Sequence, residues 1–308
     1  MAIGFTRATK EQSRLRLALS GPSGSGKTYT ALTLAMVLAS AHRGRTALID
    51  SEHGSARKYA DLFDFDHLDM ASFHPDTYTA AIQEAGQAGY PVLVVDSITH
   101  EWTGPSGILD LHDRAASKRG GNSFAAWADV TPLHHRFIEA ILSSPCHVIA
   151  TLRTKMAYSQ ELDERGKQVV RKLGLKPIQR DETEYEFDVW ADLDQDNTLV
   201  VAKSRLTELH GAVIRKPGRE LGEQLIEWLG RGAPIKTPEQ LQKLADACYV
   251  GHRKALQMAS TMEHLEHAKA LALADISKMT DDQRADLNST LSVRRRVLAK
   301  PTAEEVPF

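Results

Sequence analysis

Leu15-Arg16-Leu17-Ala18-Leu19-Ser20-Gly21-Pro22-Ser23-Gly24-Ser25-Gly26-Lys27-Thr28-Tyr29 is the stretch that decides the fold. It starts as a strand, apolar at every second position from Leu15 to Leu19, and then enters a glycine-rich loop. From Gly21 to Thr28 the loop fits G-x-x-x-x-G-K-[ST] at each defined position. The residues from Thr28 to Ala41 hold few polar groups and no Gly or Pro, which predicts a buried helix. Strand, loop and helix in this order form a phosphate cradle. Backbone N–H groups of Gly21, Ser23, Gly24, Ser25 and Gly26 turn inward, and the helix adds its positive end. Lys27 reaches the β/γ phosphates, the Thr28 hydroxyl ligates Mg²⁺, and Tyr29 joins the nucleotide-binding set. The expected ligand is ATP with Mg²⁺.

Outward from this loop the pattern alternates. Thr46–Asp50 reads as a strand, Tyr78–Gln87 as a helix and Pro91–Asp96 as an almost wholly apolar strand suited to the middle of a parallel sheet. A helix around Leu133–Leu142 and a strand at His147–Leu152 follow. Alternating strands and helices predict an α/β class with a central, mostly parallel sheet. Asp96 ends the central strand, where ligands bind in open α/β sheets, and is the candidate Mg²⁺ carboxylate acting through water. Glu52, two residues past the strand ending at Asp50, is placed to activate the attacking water. Lys155–Lys176 reads as a polar loop, and Glu184–Leu193 with Thr198–Arg205 as two antiparallel strands around the turn Asp194–Asn197. Arg231-Gly232-Ala233-Pro234 is a linker, dividing a core at 1–232 from a helical C-terminal region at 233–308 with a flexible end.

Composition narrows the class. Of 308 residues, 42% are apolar and 25% charged, as in ordinary globular chains, and the net charge of -2 confines any nucleic-acid surface to a local patch. No run reaches signal-peptide or membrane-span length, so no membrane partner and a cytoplasmic setting are expected. Cys146 and Cys248 sit in no metal-type spacing and read as reduced thiols. His134 and His135 read as helix surface, and Trp102, Trp127 and Trp190 as packing residues.

Ala47-Leu48-Ile49-Asp50-Ser51-Glu52-His53 followed by Tyr59-Ala60, and Val94-Val95-Asp96-Ser97, resemble the corresponding segments of bacterial RecA recombinases. The resemblance implies a RecA-like P-loop core across roughly residues 12 to 215, by motif placement. It implies that Glu52 is the catalytic base and that Tyr59 stacks on adenine. The family's adenine-contacting aspartate is replaced by Ala56, and Arg153 stands at the γ-phosphate-sensing position after Val148-Ile149-Ala150-Thr151-Leu152. Lys203-Ser204-Arg205 occupies the place of a Lys-x-Lys pair that reaches a neighbouring subunit's nucleotide. That makes Lys203 and Arg205 candidate trans-acting catalytic cations beside Lys27, Glu52 and Asp96. It also implies a homo-oligomer with nucleotide at its subunit interfaces. Asp96-Ser97-Ile98-Thr99-His100-Glu101-Trp102 and Tyr185-Glu186-Phe187-Asp188 are similar to the short phage-encoded RecA-like ATPases of the Sak type, which act in recombination and strand annealing.

By the same resemblance, Lys118 and Arg119, and Lys155, Arg165, Lys167, Arg171 and Lys172, fall where two DNA-binding loops lie. Cations on such loops neutralise phosphates whatever the base sequence. Single-stranded DNA is thus the expected partner, with a single-strand-binding protein as a further candidate. Two alternatives stay open: a hexameric helicase-like motor, and a nucleotide-gated DNA scaffold with little turnover.

Overall fold

The computed structural model describes residues 12–162, 168–233, 238–276 and 279–299, with side chains left aside at 158–162, 168–173, 238–241 and 244. Nine strands form one sheet: β1 Arg16–Gly21, β2 Thr46–Asp50, β3 Phe65–Asp69, β4 Val92–Asp96, β5 His147–Leu162, β6 Gln168–Pro177, β7 Val189–Leu193, β8 Thr198–Ser204 and β9 Val213–Arg215. Their order is β3-β2-β4-β5-β1-β7-β8-β9, with β6 paired to β5. The pairs from β3 through β7 are parallel, and β7-β8-β9 and β5-β6 antiparallel. The α/β class with a mostly parallel central sheet is therefore the one observed.

Helices cover both faces: α1 Lys27–Ala41, α2 Pro75–Gln87, α3 Thr99–Thr103, α4 Ile108–Lys118, α5 Ser123–Ser143 and α6 Arg219–Gly230. Side chains alternate across a strand, so Leu17 and Leu19 of β1 join the core built with α1 and α6, whereas Ala18 joins the one built with α2 and α5. β4 is buried at all five positions, as its unbroken apolar run requires between two covered faces. Gly222 lets α6 close on α1, because a Cβ there would lie 2.9 Å from Val37 Cβ. Arg16 ties the C-terminal end of α5 to β1. Its guanidinium donates to the carbonyls of Cys146 at 2.7 Å and Leu142 at 2.8 Å, and burial pulls its pKa down to about 10.

Three sequence expectations change. Lys155–Lys176 is a two-stranded ribbon, not a loop: β5 and β6 pair from Thr154↔Pro177 to Leu162↔Gln168. A ribbon leaving the sheet has no buried face to impose an apolar set, so its composition stays polar; even Leu175 is 51% exposed. Glu184–Leu193 is a strand only from Val189, since Thr183–Glu186 forms a 3₁₀ turn and Asp188 turns its carboxylate onto the Arg16 N–H at 2.9 Å. His134 is buried, not on the surface. It shares the stripe Ala126, Val130, His134 and Phe137 of α5, a spacing visible only once the helix is started at Ser123.

By contacts the chain falls into two units, one being Ser13–Arg231 and the other containing Gly232 onward. The second unit holds α7 Pro238–Met258, α8 Met262–Ala274 and α9 Asp281–Leu298 around Leu256, Leu265, Met279 and Leu287. No described helix is long and apolar enough to cross a membrane.

Candidate active site

The loop between β1 and α1 is shaped by its glycines. Gly24 and Gly26 hold φ of +80° and +83°, and a Cβ on Gly21 would lie 2.5 Å from the Leu193 carbonyl oxygen. Only glycine fits this curvature without strain. Asn197, itself at φ 57°, donates from Nδ2 to the Ser25 carbonyl at 2.8 Å and packs against Gly26. It is a buttress that the sequence did not mark, because it comes from a distant turn.

Lys27 Nζ donates to the Pro22 carbonyl at 2.8 Å, folded over the loop it would leave for a phosphate. Burial lowers its pKa, partly offset by the charges of Asp96 and Glu52. Thr28 Oγ1 donates to Asp96 Oδ2 at 2.6 Å, and Thr151 Oγ1 donates to the other oxygen. Asp96 is 2% exposed, and burial raises its pKa against those hydroxyl bonds. A hydroxyl and a buried carboxylate in contact are the hard oxygen donors that Mg²⁺ prefers. The two residues therefore fit the ion, which when bound would neutralise phosphate charge. The Asp96–Ser97 peptide is cis.

Glu52 follows β2, which is adjacent to β4 with Asp50 opposite Asp96. Asp50 fixes the turn, accepting from the N–H groups of Glu52 at 2.6 Å and Ala56 at 3.0 Å. Ala56 is fully buried, so no side chain there faces a base. Arg153 forks onto Glu52, with Nε donating to Oε1 at 2.8 Å and Nη2 to Oε2, and Ser97 Oγ donates to Oε1 at 3.2 Å. Burial pushes the Glu52 pKa up, but the bonds and charge of Arg153 outweigh it and hold the carboxylate below its usual range. His100, half-buried and with its pKa lowered chiefly by that burial, stacks on Phe73 and hydrogen-bonds Ser51 at 2.8 Å.

Beside Gly26 opens a cavity of about 490 Å³ between Tyr29, Tyr59, Asn197 and Lys216. The Tyr29 and Tyr59 rings meet edge to face at 6.2 Å. An aromatic-lined space next to a phosphate loop can accept a base. Sequence reasoning named both tyrosines and missed Asn197 and Lys216.

The remaining predicted residues lie elsewhere. Lys203 Nζ donates to the carbonyls of Glu184 at 2.8 Å and Tyr185 at 2.7 Å, and Arg205 pairs with Asp188 at 3.3 Å. β8 runs antiparallel to β7, so Ser204 lies opposite Val189 and level with Leu17, four residues before Gly21. Lys203 lies opposite Trp190 and so level with Ala18, and Arg205 is one residue past Ser204. Both thus lie towards the N-terminal ends of the parallel strands, about 10 and 17 Å from the level of their own phosphate loop at ~3.3 Å per residue. Arg119 is neutralised by Asp129 through bonds of 3.0 and 2.7 Å, while Lys118 and Lys155 are solvent-facing. Arg165 and Lys167 lie outside the described residues, as do the side chains of Arg171 and Lys172 on β6.

A nucleotide cradle, a Mg²⁺-type oxygen pair and a carboxylate beside them on a parallel sheet define a P-loop nucleoside triphosphatase core. The AAA domain family matches residues 13–209, and the chain belongs to that family. No curated protein matches it. Among solved structures it is similar to a KaiC-like protein, PH0186, from the hyperthermophilic archaeon Pyrococcus horikoshii OT3. Identity is 16% over 66% of this chain and 86% of that one, with a TM-score of 0.39.

Proposed function

We propose that the chain hydrolyses ATP with Mg²⁺ and couples that cycle to single-stranded DNA, in recombination or strand annealing of the phage type. The observation that carries the hydrolytic reading is Glu52. Its carboxylate follows β2, the neighbour of the strand that ends in Asp96, is kept ionised by Arg153, and is felt as charge by Lys27 of the loop. In this role Lys27 and the loop N–H groups bind the phosphates, Thr28 and Asp96 hold the Mg²⁺, and Glu52 takes the proton of the attacking water. Arg153 engages both Glu52 oxygens, so the ion pair must open before water can be oriented.

Lys203 and Arg205 sit too far from their own loop to serve it. Their placement towards the opposite end of the strands suits a head-to-tail assembly, in which one copy's cations meet the next copy's nucleotide; such interfaces give rings or filaments. DNA contact is supported by the solvent-facing Lys118 and Lys155, the latter at the foot of the β5–β6 ribbon. A single-strand-binding protein is a further proposed partner. The test is phosphate release with and without single-stranded DNA, for the natural chain and for Glu52→Gln. Glu52→Gln is expected to bind ATP and lose about 10²–10⁴-fold in turnover. Unchanged hydrolysis in that variant would remove Glu52 from the mechanism.

A further inference from the structure

A second concave site lies outside the nucleotide cradle. Trp102 of α3 and Trp127 of α5 face each other nearly parallel, with 17° between their planes and 6.0 Å between centroids. Both are only half-buried and line a cavity of about 580 Å³, within the range of ligand pockets. Their backing is rigid. His112 lies 4.2 Å behind Trp127, and His134 meets Trp102 edge-on while bonded to the fully buried Glu101 at 3.1 Å.

The same cavity is lined by three cations, Lys155, Lys176 and Arg180, and one carboxylate, Asp181. Lys176 is paired with Asp181 at 2.6 Å. Lys155 has no ion-pair or hydrogen-bond partner among the described residues. Arg180 Nη1 is buried without a hydrogen-bond acceptor among them, and the charge of this guanidinium is felt by the buried Glu101. Arg180 as a whole is half-buried and lines the cavity, and the accessible part of a guanidinium is matched best by a phosphate oxygen. Indole rings and cations lining one cavity match a nucleotide unit, base against ring and phosphate against guanidinium.

Two features select a single strand. Bases within a duplex are stacked inside and cannot reach an indole face. Phe124, 91% exposed, stands one helical turn before Trp127 at i,i+3, so the aromatic surface continues beyond the cavity as a polymer would need. We propose that the Trp102–Trp127 cleft is where a base of single-stranded nucleic acid stacks, with Arg180 and Lys155 taking the flanking phosphates. This rests on the single-strand reading above and gives it a place.

The experiment is fluorescence anisotropy of a labelled oligothymidylate at low salt, with ATP, with ADP and without nucleotide. Trp127→Ala and Arg180→Gln should each weaken binding roughly ten-fold or more, and Trp127→Phe should recover most of the loss. Trp102→Phe and thermal melts guard against a variant that merely unfolds. If the natural chain binds the oligomer and all these folded variants bind equally well, the cleft is not the site, and the single-strand reading survives. If the natural chain binds no oligomer in any nucleotide state, that reading falls and the cleft proposal with it. Competition by thymidine monophosphate at the oligomer's own concentration, or equal binding of duplex, would also overturn the strand assignment.

Discussion

Replacing Arg153 by alanine tests how the site is held in check. The guanidinium makes two charge-assisted hydrogen bonds to Glu52, each worth about 1.5–3 kcal/mol when sheltered. Here Arg153 is 48% exposed and Glu52 19%, so solvent screening trims the pair to about 1–2 kcal/mol. If opening this pair precedes water activation, Arg153→Ala lowers the barrier by that amount and raises the rate without DNA about 5- to 30-fold. A pH profile gives an independent check. Arg153 is what keeps the Glu52 carboxylate below its usual range against burial. Without it burial dominates, the pKa rises, and the acidic limb of kcat/KM moves to higher pH. The assay is phosphate release across acidic to neutral pH, at saturating ATP and Mg²⁺ for the rate and at sub-saturating ATP for kcat/KM. A rate as low as that of Glu52→Gln would show that Arg153 is needed in the transition state, and would refute the restraint; so would an unmoved acidic limb.

Other expectations follow from the same geometry. Mixing Lys203→Ala/Arg205→Ala subunits with Lys27→Ala subunits should restore part of the ATPase activity, because hybrid interfaces rebuild complete sites; no recovery at any ratio argues against action between copies. Tyr59→Ala should weaken ATP and ADP binding equally, since its ring adjoins the base cavity rather than the phosphates, as read by fluorescent-nucleotide titration. Gly222→Val should destabilise the fold by about 1–3 kcal/mol in urea unfolding, because its side chain meets Val37 on α1. His147 is buried, accepts the Leu15 N–H at 3.0 Å, and has its pKa pushed down from 6.5 to about 3 by burial and by Arg14, His42 and Arg16. Between those values the unfolded chain binds the proton and the folded chain does not. Stability is thus full above pH 6.5 and falls as pH drops, by about 2 kcal/mol near pH 5. His147→Gln should flatten that slope in thermal melts.

The strands that carry the site were legible because parallel strands covered on both faces read as short apolar runs. Thr46–Asp50 has the same limits in sequence and structure, and the strand read as Pro91–Asp96 starts one residue later, at Val92. The phosphate loop was legible because its glycines answer a local backbone demand. What stayed hidden depends on residues distant in the chain. Asn197 buttresses Gly26 from a turn some 170 positions away, a separation its hydrogen bond to Ser25 records as 172. Arg153 was placed at a sensing position, yet its grip on Glu52 spans 101 positions and has no local pattern. β3 escaped notice because Phe65–Asp69 is an edge strand with only partial burial, so Asp and His interrupt its alternation.

Strand β5 joins the two sites. It lies between β4, which ends in Asp96, and β1, which feeds the phosphate loop. Residues i, i+2 and i+4 of a strand share one face. On β5 these are Thr151, which holds Asp96; Arg153, which holds Glu52; and Lys155, which lines the Trp102–Trp127 cleft. The first register irregularity comes only at Ala157/Tyr158, beyond all three. The backbone of Arg153 is clamped from both walls of the cleft: its N–H donates to Thr99 Oγ1 at 2.9 Å, and its carbonyl accepts from Ile178 at 2.8 Å. A strand seated in the cleft would press on the segments that position Arg153, about two residues along one rigid element from the bonds to Asp96. Single-stranded DNA should therefore speed hydrolysis by loosening the same ion pair that Arg153→Ala removes. The two effects should not add: Arg153→Ala should be fast without DNA and gain little from it. Full DNA stimulation persisting in Arg153→Ala would show that the signal reaches Glu52 by another route.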